Sequence, residues 1–200
     1  MPGFPLTERR TGHWSSALRL ALPRLLLGIA VGGLAVLVSS HIKIHLGPGH
    51  KVIFWMIPVI TARWAFGCWG SGIAGATAAA TVSFAVGDGF AGGVLFLPLV
   101  LPAGAILDAA VALARNCRWW AAIPLVGLAG AAASVLCMGN RLLTPVHPLR
   151  SFWNIPWPSR FLLSYALFGL ISGLVGTVLA GIILAARKRS KKNQQSNESA

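Results

Sequence analysis

The sequence has 200 residues, of which 56% are hydrophobic and only 10% are charged, and its mean hydropathy is +0.72. These values exclude an ordinary soluble globular domain and favour an α-helical protein of the lipid bilayer. The net charge is +13, but the basic residues lie between apolar segments and at the two ends of the chain, which indicates membrane topology and not a nucleic-acid partner.

Six apolar segments indicate membrane-spanning helices. A helix needs about 20 apolar residues to cross the bilayer core, and fewer where protein surrounds it. The segments cover residues 18–40, 52–66, 70–87, 92–114, 119–139 and 160–185. The sequence therefore predicts an all-α integral membrane protein, a six-transmembrane-helix bundle that forms one membrane domain over residues 1–186. Segment 52–66 is the weakest, because it is short and contains Pro58 and Arg63.

The basic N-terminal region has two interpretations. The first interpretation is a cleavable signal peptide, because arginines up to Arg24 followed by an apolar run are typical of one. The apolar stretch begins near Ala17, however, and continues for the length of a full span. We therefore expect the first helix to be retained.

The distribution of Lys and Arg tests the six-segment prediction independently. With the N-terminus inside, twelve of these residues lie on the inner side of the membrane and five on the outer side. This bias predicts that both termini are cytoplasmic. Residues 187–200 are polar and basic, which predicts a disordered cytoplasmic tail. The tail either sets topology alone or also binds anionic lipid headgroups.

Small residues recur at spacings of three and four in the first and last segments. They are Gly28, Gly32, Ala35 and Ser39 in the first and Gly169, Gly173, Thr177 and Gly181 in the last. Such faces let helix backbones approach closely in lipid, where no hydrophobic force drives association. They indicate either packing inside the bundle or docking to a separate membrane subunit.

Side chains that can bind a solute occur in the first two predicted outer connections. Residues 39–51 include His41, His45 and His50, whose spacings do not complete a set of metal ligands. Two interpretations remain for these residues: an ordinary loop, or contact with a solute. Asp88 is the only acidic residue predicted to face outward. It either stabilises a glycine-rich turn or contacts a solute.

The longest connection, residues 140–159, contains four prolines among Trp and Arg side chains. Trp153 and Trp157 at a span boundary are typical of an aromatic belt at the bilayer interface. The alternative is a lid over an outward pocket, in which both tryptophans and Arg150 contact a solute.

Asp108 lies inside the fourth apolar segment. An ionisable side chain in a membrane is costly and is by default a candidate functional residue. The structural alternative is an ion pair with Arg115, about two turns later on the same face, or a hydrogen bond to a neighbouring helix. A proton relay lacks a second carboxylate in the segment.

The sequence contains no recognisable catalytic motif. GxSxG, HExxH, the P-loop and paired carboxylates at helical spacing are absent, and the three cysteines form no CxxC pair. The sequence therefore predicts no enzyme, no metal and no cofactor. Transport driven by ATP would require a partner that hydrolyses the nucleotide.

Residues 44–86 resemble the substrate-binding S-components of energy-coupling factor (ECF) vitamin transporters. The matching motifs are IHLGP at residues 44–48, IPVI at residues 57–60 and the turn FGCWGSG at residues 66–72. His45 stands where the family usually has Pro, and Cys68 and Trp69 replace its usual Gly-Pro. The length of the chain, six spans and two cytoplasmic ends also agree with that family.

The resemblance implies a multi-pass protein of the bacterial cell membrane that captures a vitamin or similar micronutrient at its outer side. Such a protein docks on a membrane coupling subunit driven by two ATPase subunits. Expected contacts to the solute are His50, Lys51, Trp55, Asp88, Arg141, Arg150 and Trp153. The family docks through an AxxxA motif on its first helix, which is matched literally by Ala17 and Ala21 and by size by Gly28 and Gly32.

Two other classes of function remain open. One is a structural or regulatory membrane subunit that binds no solute and works through its glycine faces and basic tail. The other is a small stand-alone permease, channel or membrane enzyme, in which Asp108 takes part directly.

Overall fold

A computed structural model describes residues 11–42, 49–87, 96–143 and 159–198. These residues form six α-helices and no strand. The helices are α1 (Thr11–His41), α2 (Lys51–Ala65), α3 (Ser71–Val86), α4 (Phe96–Ala114), α5 (Trp119–Leu143) and α6 (Ser159–Glu198). The prediction of an all-α protein is therefore confirmed for the described part of the chain.

Within the described ranges, three helical stretches are long and apolar enough to cross a membrane. They are Ala21–His41, Trp119–Gly139 and Phe161–Ser196, and two shorter apolar helices are Ser71–Val86 and Pro98–Ala114. Large apolar side chains on the long helices face outward, with Leu34 60%, Leu128 64% and Leu163 61% exposed. Together, these lengths and this surface are those of a helical membrane protein.

Close contacts between helices fix their directions. Gly28 lies against Ser71 and Gly32 lies against Gly75, so α1 and α3 are parallel. Helices α3 and α4 are antiparallel, with Gly72 against Asp108 and Gly104 against Ile73, and Gly139 of α5 lies against Leu99 of α4. Helices α5 and α6 are antiparallel, with Gly130 against Gly169 and Gly181 against Trp119. Helices α2 and α6 are parallel, with Gly49 against Tyr165 and Gly176 against Ile60. Successive helices therefore alternate in direction.

This alternation gives the bundle two different ends. The turn end carries the α2–α3 connection, residues 66–70, and the α4–α5 connection, residues 115–118. The loop end carries the ends of α1, α3 and α5 and the starts of α2, α4 and α6, which longer connections join.

Helix α2 is the most enclosed part of the bundle. It packs against α1, α3, α4 and α6, while α3, α4, α5 and α6 form a continuous series of packed neighbours. Trp55, Met56 and Ile60 of α2 are fully buried. Helix α2 continues through Pro58 without a break. Because its surroundings are mostly protein, it does not need the apolar length of a lipid-exposed helix.

The C-terminal region differs from its prediction. Residues 187–198 were expected to be disordered, but α6 continues to Glu198 and its side chains from Arg187 to Ser196 are exposed. Lys, Arg, Gln and Glu are good helix formers, and no Pro or Gly interrupts this region. The apolar part of α6 supplies the nucleus, so propagation into the basic region costs little.

Candidate functional site

A buried ion pair joins α2 to α4 near the turn end. Nε of Arg63 donates a hydrogen bond to Oδ1 of Asp108, and the two side chains are only 3% and 0% exposed. Nη2 of Arg63 also lies 3.5 Å from the carbonyl oxygen of Asp108, and Nη1 lies 3.4 Å from that of Gly67. Because an unpaired charge is very costly at such burial, each group compensates the charge of the other.

The carboxylate of Asp108 also caps the N-terminus of α3. Oδ1 accepts the N–H of Gly72 at 3.2 Å, and Oδ2 accepts the N–H of Ile73 at 3.1 Å. These N–H groups belong to the first turn of α3, where a helix has no internal acceptors and a positive dipole end. A Cβ atom at Gly72 would lie 3.0 Å from Cγ of Asp108, so a larger residue would push the carboxylate away.

Arg115, which directly follows α4, covers the carbonyl end of α2. Its Nη2 donates to the carbonyl oxygen of Trp64 at 2.9 Å and lies 3.3 Å from that of Arg63 and 3.4 Å from that of Gly67. A cation is favourable at this negative end of the helix dipole. Partial burial, followed by the positive charges of Arg63 and Arg24, lowers the pKa of Arg115 below its usual range.

Arg187 of α6 reaches the same end of α2 from another side. Its Nη1 donates to the carbonyl oxygen of Ala65 at 3.3 Å, and its guanidinium carbon lies 3.8 Å from the centre of the Phe66 ring. The rings of Trp64 and Trp119 meet edge to face at 5.8 Å, which adds an aromatic contact between α2 and α5. The α2–α3 junction is thus held by side chains from several other helices.

The junction carries more positive than negative charge. In the part of the chain that the structure describes, Asp108 is the only acidic residue near it, because Glu198 lies at the far end of α6. Among the same residues, no group of three His, Cys, Asp or Glu side chains could hold a metal ion. The arrangement can therefore lock the helix ends together and present cations around them, and it contains no partner carboxylate for a proton relay.

The expectation for Asp108 is partly corrected. Asp108 does not pair with Arg115, because Arg115 donates to backbone carbonyl groups and Arg63 approaches from α2. The other structural alternative, hydrogen bonding to a neighbouring helix, is what the structure contains. The signal that sequence reasoning missed was Arg63 itself, a cation inside an apolar segment that requires a buried anion.

At the loop end, three predicted solute contacts belong to the start of α2. His50 and Lys51 are partly buried, and Trp55, one turn further on, is 1% exposed. The ring of Tyr165, the only tyrosine, packs against Gly49, which no sequence motif indicated. Asp88, Arg150 and Trp153 lie outside the described residues, and Arg141 belongs to α5 with its side chain outside the description. A solute site here stays a prediction.

The predicted docking residues lie on α1. A Cβ atom at Gly28 would lie 2.6 Å from the carbonyl oxygen of Ser71, and one at Gly32 would lie 2.0 Å from that of Gly75. This face is therefore in use for packing against α3, as the internal-packing alternative requires. Ala21 is near the turn end, and the side chain of Ala17 is outside the description, so docking through these two alanines stays a prediction.

Comparisons of the chain with family models, with curated proteins and with solved structures found no match. The function of the junction and of the loop end is therefore inferred from the chemistry of their residues.

Proposed function

We propose that the chain is a membrane protein of six spans with both ends in the cytoplasm, and that it is the substrate-capturing subunit of an ECF-type importer. Its solute is a vitamin or a similar small micronutrient. The alternating direction of the six helices supports this topology, since each helix then continues from the side that the previous one reached.

The position of the basic residues supports the orientation. The basic residues at or near the turn end are Arg19, Arg24, Arg63, Arg115, Arg118 and Arg187, and the basic extension of α6 follows them. The basic residues at or near the loop end of the described chain are Lys51, Arg141 and Arg160. By the positive-inside rule, the turn end faces the cytoplasm and the loop end faces outward. The loop end is then the side from which a nutrient arrives.

The observation that carries the proposal is the set of enclosed polar and aromatic side chains near the loop end. Ser83, Trp55 and Tyr165 are 0%, 1% and 7% exposed, and they belong to three different helices. His50 and Lys51 lie partly exposed at the start of α2. A binding pocket for a small molecule requires a few polar groups in apolar surroundings, and these side chains provide such groups.

The partners follow from the resemblance and from the absence of an ATP-binding motif. A solute carried against a gradient needs an energy source, and the chain has no P-loop to supply it. We therefore propose a membrane coupling subunit and two ATPase subunits as partners.

Glycine contacts weigh against the alternative of a solute-free subunit that docks through α6. A Cβ atom at Gly169 would lie 2.3 Å from the carbonyl oxygen of Gly130, and one at Gly173 would lie 2.4 Å from that of Val126. These α6 glycines are therefore occupied by α5, and a partner could not use them while the bundle is intact.

Native mass spectrometry of the gently solubilised full chain tests the proposal. We expect one small water-soluble molecule to be retained per chain and ATPase-bearing partners to co-purify. The variant Lys51→Gln should lose retention of the molecule by about tenfold, as expected for loss of a charged contact worth about 1.4 kcal/mol. Lys192→Gln on the α6 extension is the matched control. Absence of both a retained molecule and ATPase partners would overturn the proposal.

A further inference from the structure

Exposed tryptophans mark a membrane interface at the turn end. Trp69 in the α2–α3 connection is 64% exposed, and Trp119 and Trp120 at the start of α5 are 45% and 72% exposed. Exposed Trp side chains in a membrane protein are enriched at headgroup level, where the ring is apolar and its N–H meets water. The backbone of the α2–α3 junction therefore lies close to the lipid headgroups.

Three exposed arginines surround this junction. Arg24 of α1 directly precedes Leu25, whose Cδ2 would lie 3.6 Å from a Cβ atom at Gly70. Arg115, after α4, and Arg187, of α6, donate to carbonyl oxygens at the end of α2. Within the described chain, no carboxylate balances them, because Asp108 is used by Arg63 and Glu198 lies about 16 Å beyond Arg187 along the helix axis at 1.5 Å per residue. The cationic site defined by Arg24, Arg115 and Arg187 thus calls for an anion from outside the described chain.

Donor groups remain available for such an anion. Among the described residues, Arg115 donates only through Nη2 and Arg187 only through Nη1. A guanidinium has five N–H donors, and its planar fork matches the oxygens of a phosphate. The other donors of both side chains can therefore bind phosphate without giving up their contacts with α2.

The helical extension of α6 carries further basic residues, and it runs away from the exposed tryptophans. Lys188, Arg189, Lys191 and Lys192 are exposed and follow Arg187 directly. The five-residue step from Arg187 to Lys192 spans about 7.5 Å at 1.5 Å per residue. Cations near a membrane surface attract anionic lipids.

We propose that the turn end binds an anionic phospholipid, with its headgroup phosphate at the cationic site of Arg24, Arg115 and Arg187. Trp69 and Trp120 lie at the level of the headgroups at the same end of the bundle. The inference does not depend on the captured solute, since it concerns the opposite end of the bundle. A lipid is favoured over an acidic protein because the exposed tryptophans set the arginines at headgroup level.

Thermal unfolding of the full chain in neutral detergent, with added phosphatidylglycerol or phosphatidylcholine, tests the proposal. Above its dissociation constant, each tenfold increase in phosphatidylglycerol should raise the apparent Tm by about 3–6 °C, and phosphatidylcholine should leave it within about 1 °C. An equal shift with both lipids would overturn the proposal. So would an equal shift with inorganic phosphate, which would indicate a site for free anions, or a shift with polyglutamate alone, which would indicate an acidic protein partner.

Variants separate the cationic site from general attraction. Arg24→Gln with Arg187→Gln should abolish the shift caused by phosphatidylglycerol. The control variant Lys191→Gln with Lys192→Gln also loses two charges, and it should retain at least half of the shift caused by phosphatidylglycerol. Arg24 is exposed on α1, so Arg24→Gln alone should fold normally and weaken lipid binding several-fold. Equal effects of the two double variants, or no effect of Arg24→Gln, would overturn the proposal.

Discussion

The two ends of helix α2 contact different groups. At the turn end, Asp108, Arg115 and Arg187 bind backbone groups at the end of α2 and the start of α3. At the loop end, the ring of Tyr165 packs on Gly49 directly before α2, and the neighbouring side chains of His50 and Lys51 have interactions of their own. Charged hydrogen bonds to backbone groups require fixed geometry. The comparison indicates that the charged network holds the turn end rigid.

The largest expected effect comes from removing the negative charge at the turn end. Asp108→Asn leaves Arg63 buried without a counter-charge, which should cost about 3–5 kcal/mol of unfolding free energy. Unfolding by SDS in mixed micelles, followed by circular dichroism, measures this loss. A cost under about 1 kcal/mol would show that water reaches Arg63, and the rigid turn end would then be refuted.

A double variant provides the control for this result. Arg63→Met with Asp108→Asn removes both charges and keeps an amide oxygen that can accept a hydrogen bond from the first turn of α3. It should be more stable than Asp108→Asn alone, because no buried charge is left unpaired. If the losses of unfolding free energy caused by Arg63→Met alone and by Asp108→Asn alone simply add in the double variant, the pair does not act as a unit.

Two glycines with positive φ allow a matched comparison of the two ends. Gly49 (φ +83°) is at the loop end and Gly70 (φ +88°) is at the turn end. Either Gly→Ala change should cost about 1–2 kcal/mol for the left-handed conformation. Gly49→Ala should cost more, because its Cβ would lie 2.9 Å from Cδ2 of Tyr165, whereas at Gly70 the nearest atom, Cδ2 of Leu25, is 3.6 Å away. Equal SDS-unfolding costs would show that Tyr165 moves freely, and the loop end would then be looser than its packing indicates.

Arg115→Gln should have a smaller effect at the turn end. The carbonyl groups of Arg63, Trp64 and Gly67 lose a charged donor, but the side chain is partly exposed and water can replace it. We expect a loss of about 1–2 kcal/mol in the same SDS assay. Arg118→Gln, at an exposed position three residues later in the same connection, should change stability by less than about 0.5 kcal/mol. A loss as large as that of Asp108→Asn would contradict the ranking.

The fold was largely predictable from the sequence, because apolar segments and small-residue faces are local signals. Five of the six segments overlap helices whose apolar character identifies them directly, and Gly28 and Gly169 do lie at close helix contacts. The extension of α6 was not predicted, because polar composition alone does not reveal that a preceding helix acts as its nucleus. Asp88 and Arg150 lie outside the described residues, so their predicted roles stay predictions.

The turn-end network could be predicted only in part. The sequence indicates that Asp108 is unusual, but the choice between Arg63 and Arg115 as its partner depends on how α2 and α4 pack. Arg115 is seven residues from Asp108 on the same helix face, which made it the obvious candidate. Arg63 is its partner because α2 and α4 end at the same end of the bundle, and no local pattern encodes that pairing.

The smallest expected effect concerns the outer part of the same network. Arg187→Lys keeps the charge near the end of α2 but loses the planar group that lies 3.8 Å from the Phe66 ring centre. An exposed contact of this kind is worth about 0.5–1 kcal/mol, so the loss in the SDS assay should not exceed that. Lys188→Arg, the reverse exchange at the next residue, should have no effect. If Arg187→Lys instead costs as much as Arg115→Gln, the α2 carbonyl end depends on guanidinium geometry more than on charge, and the rigid region of the turn end extends outward to α6.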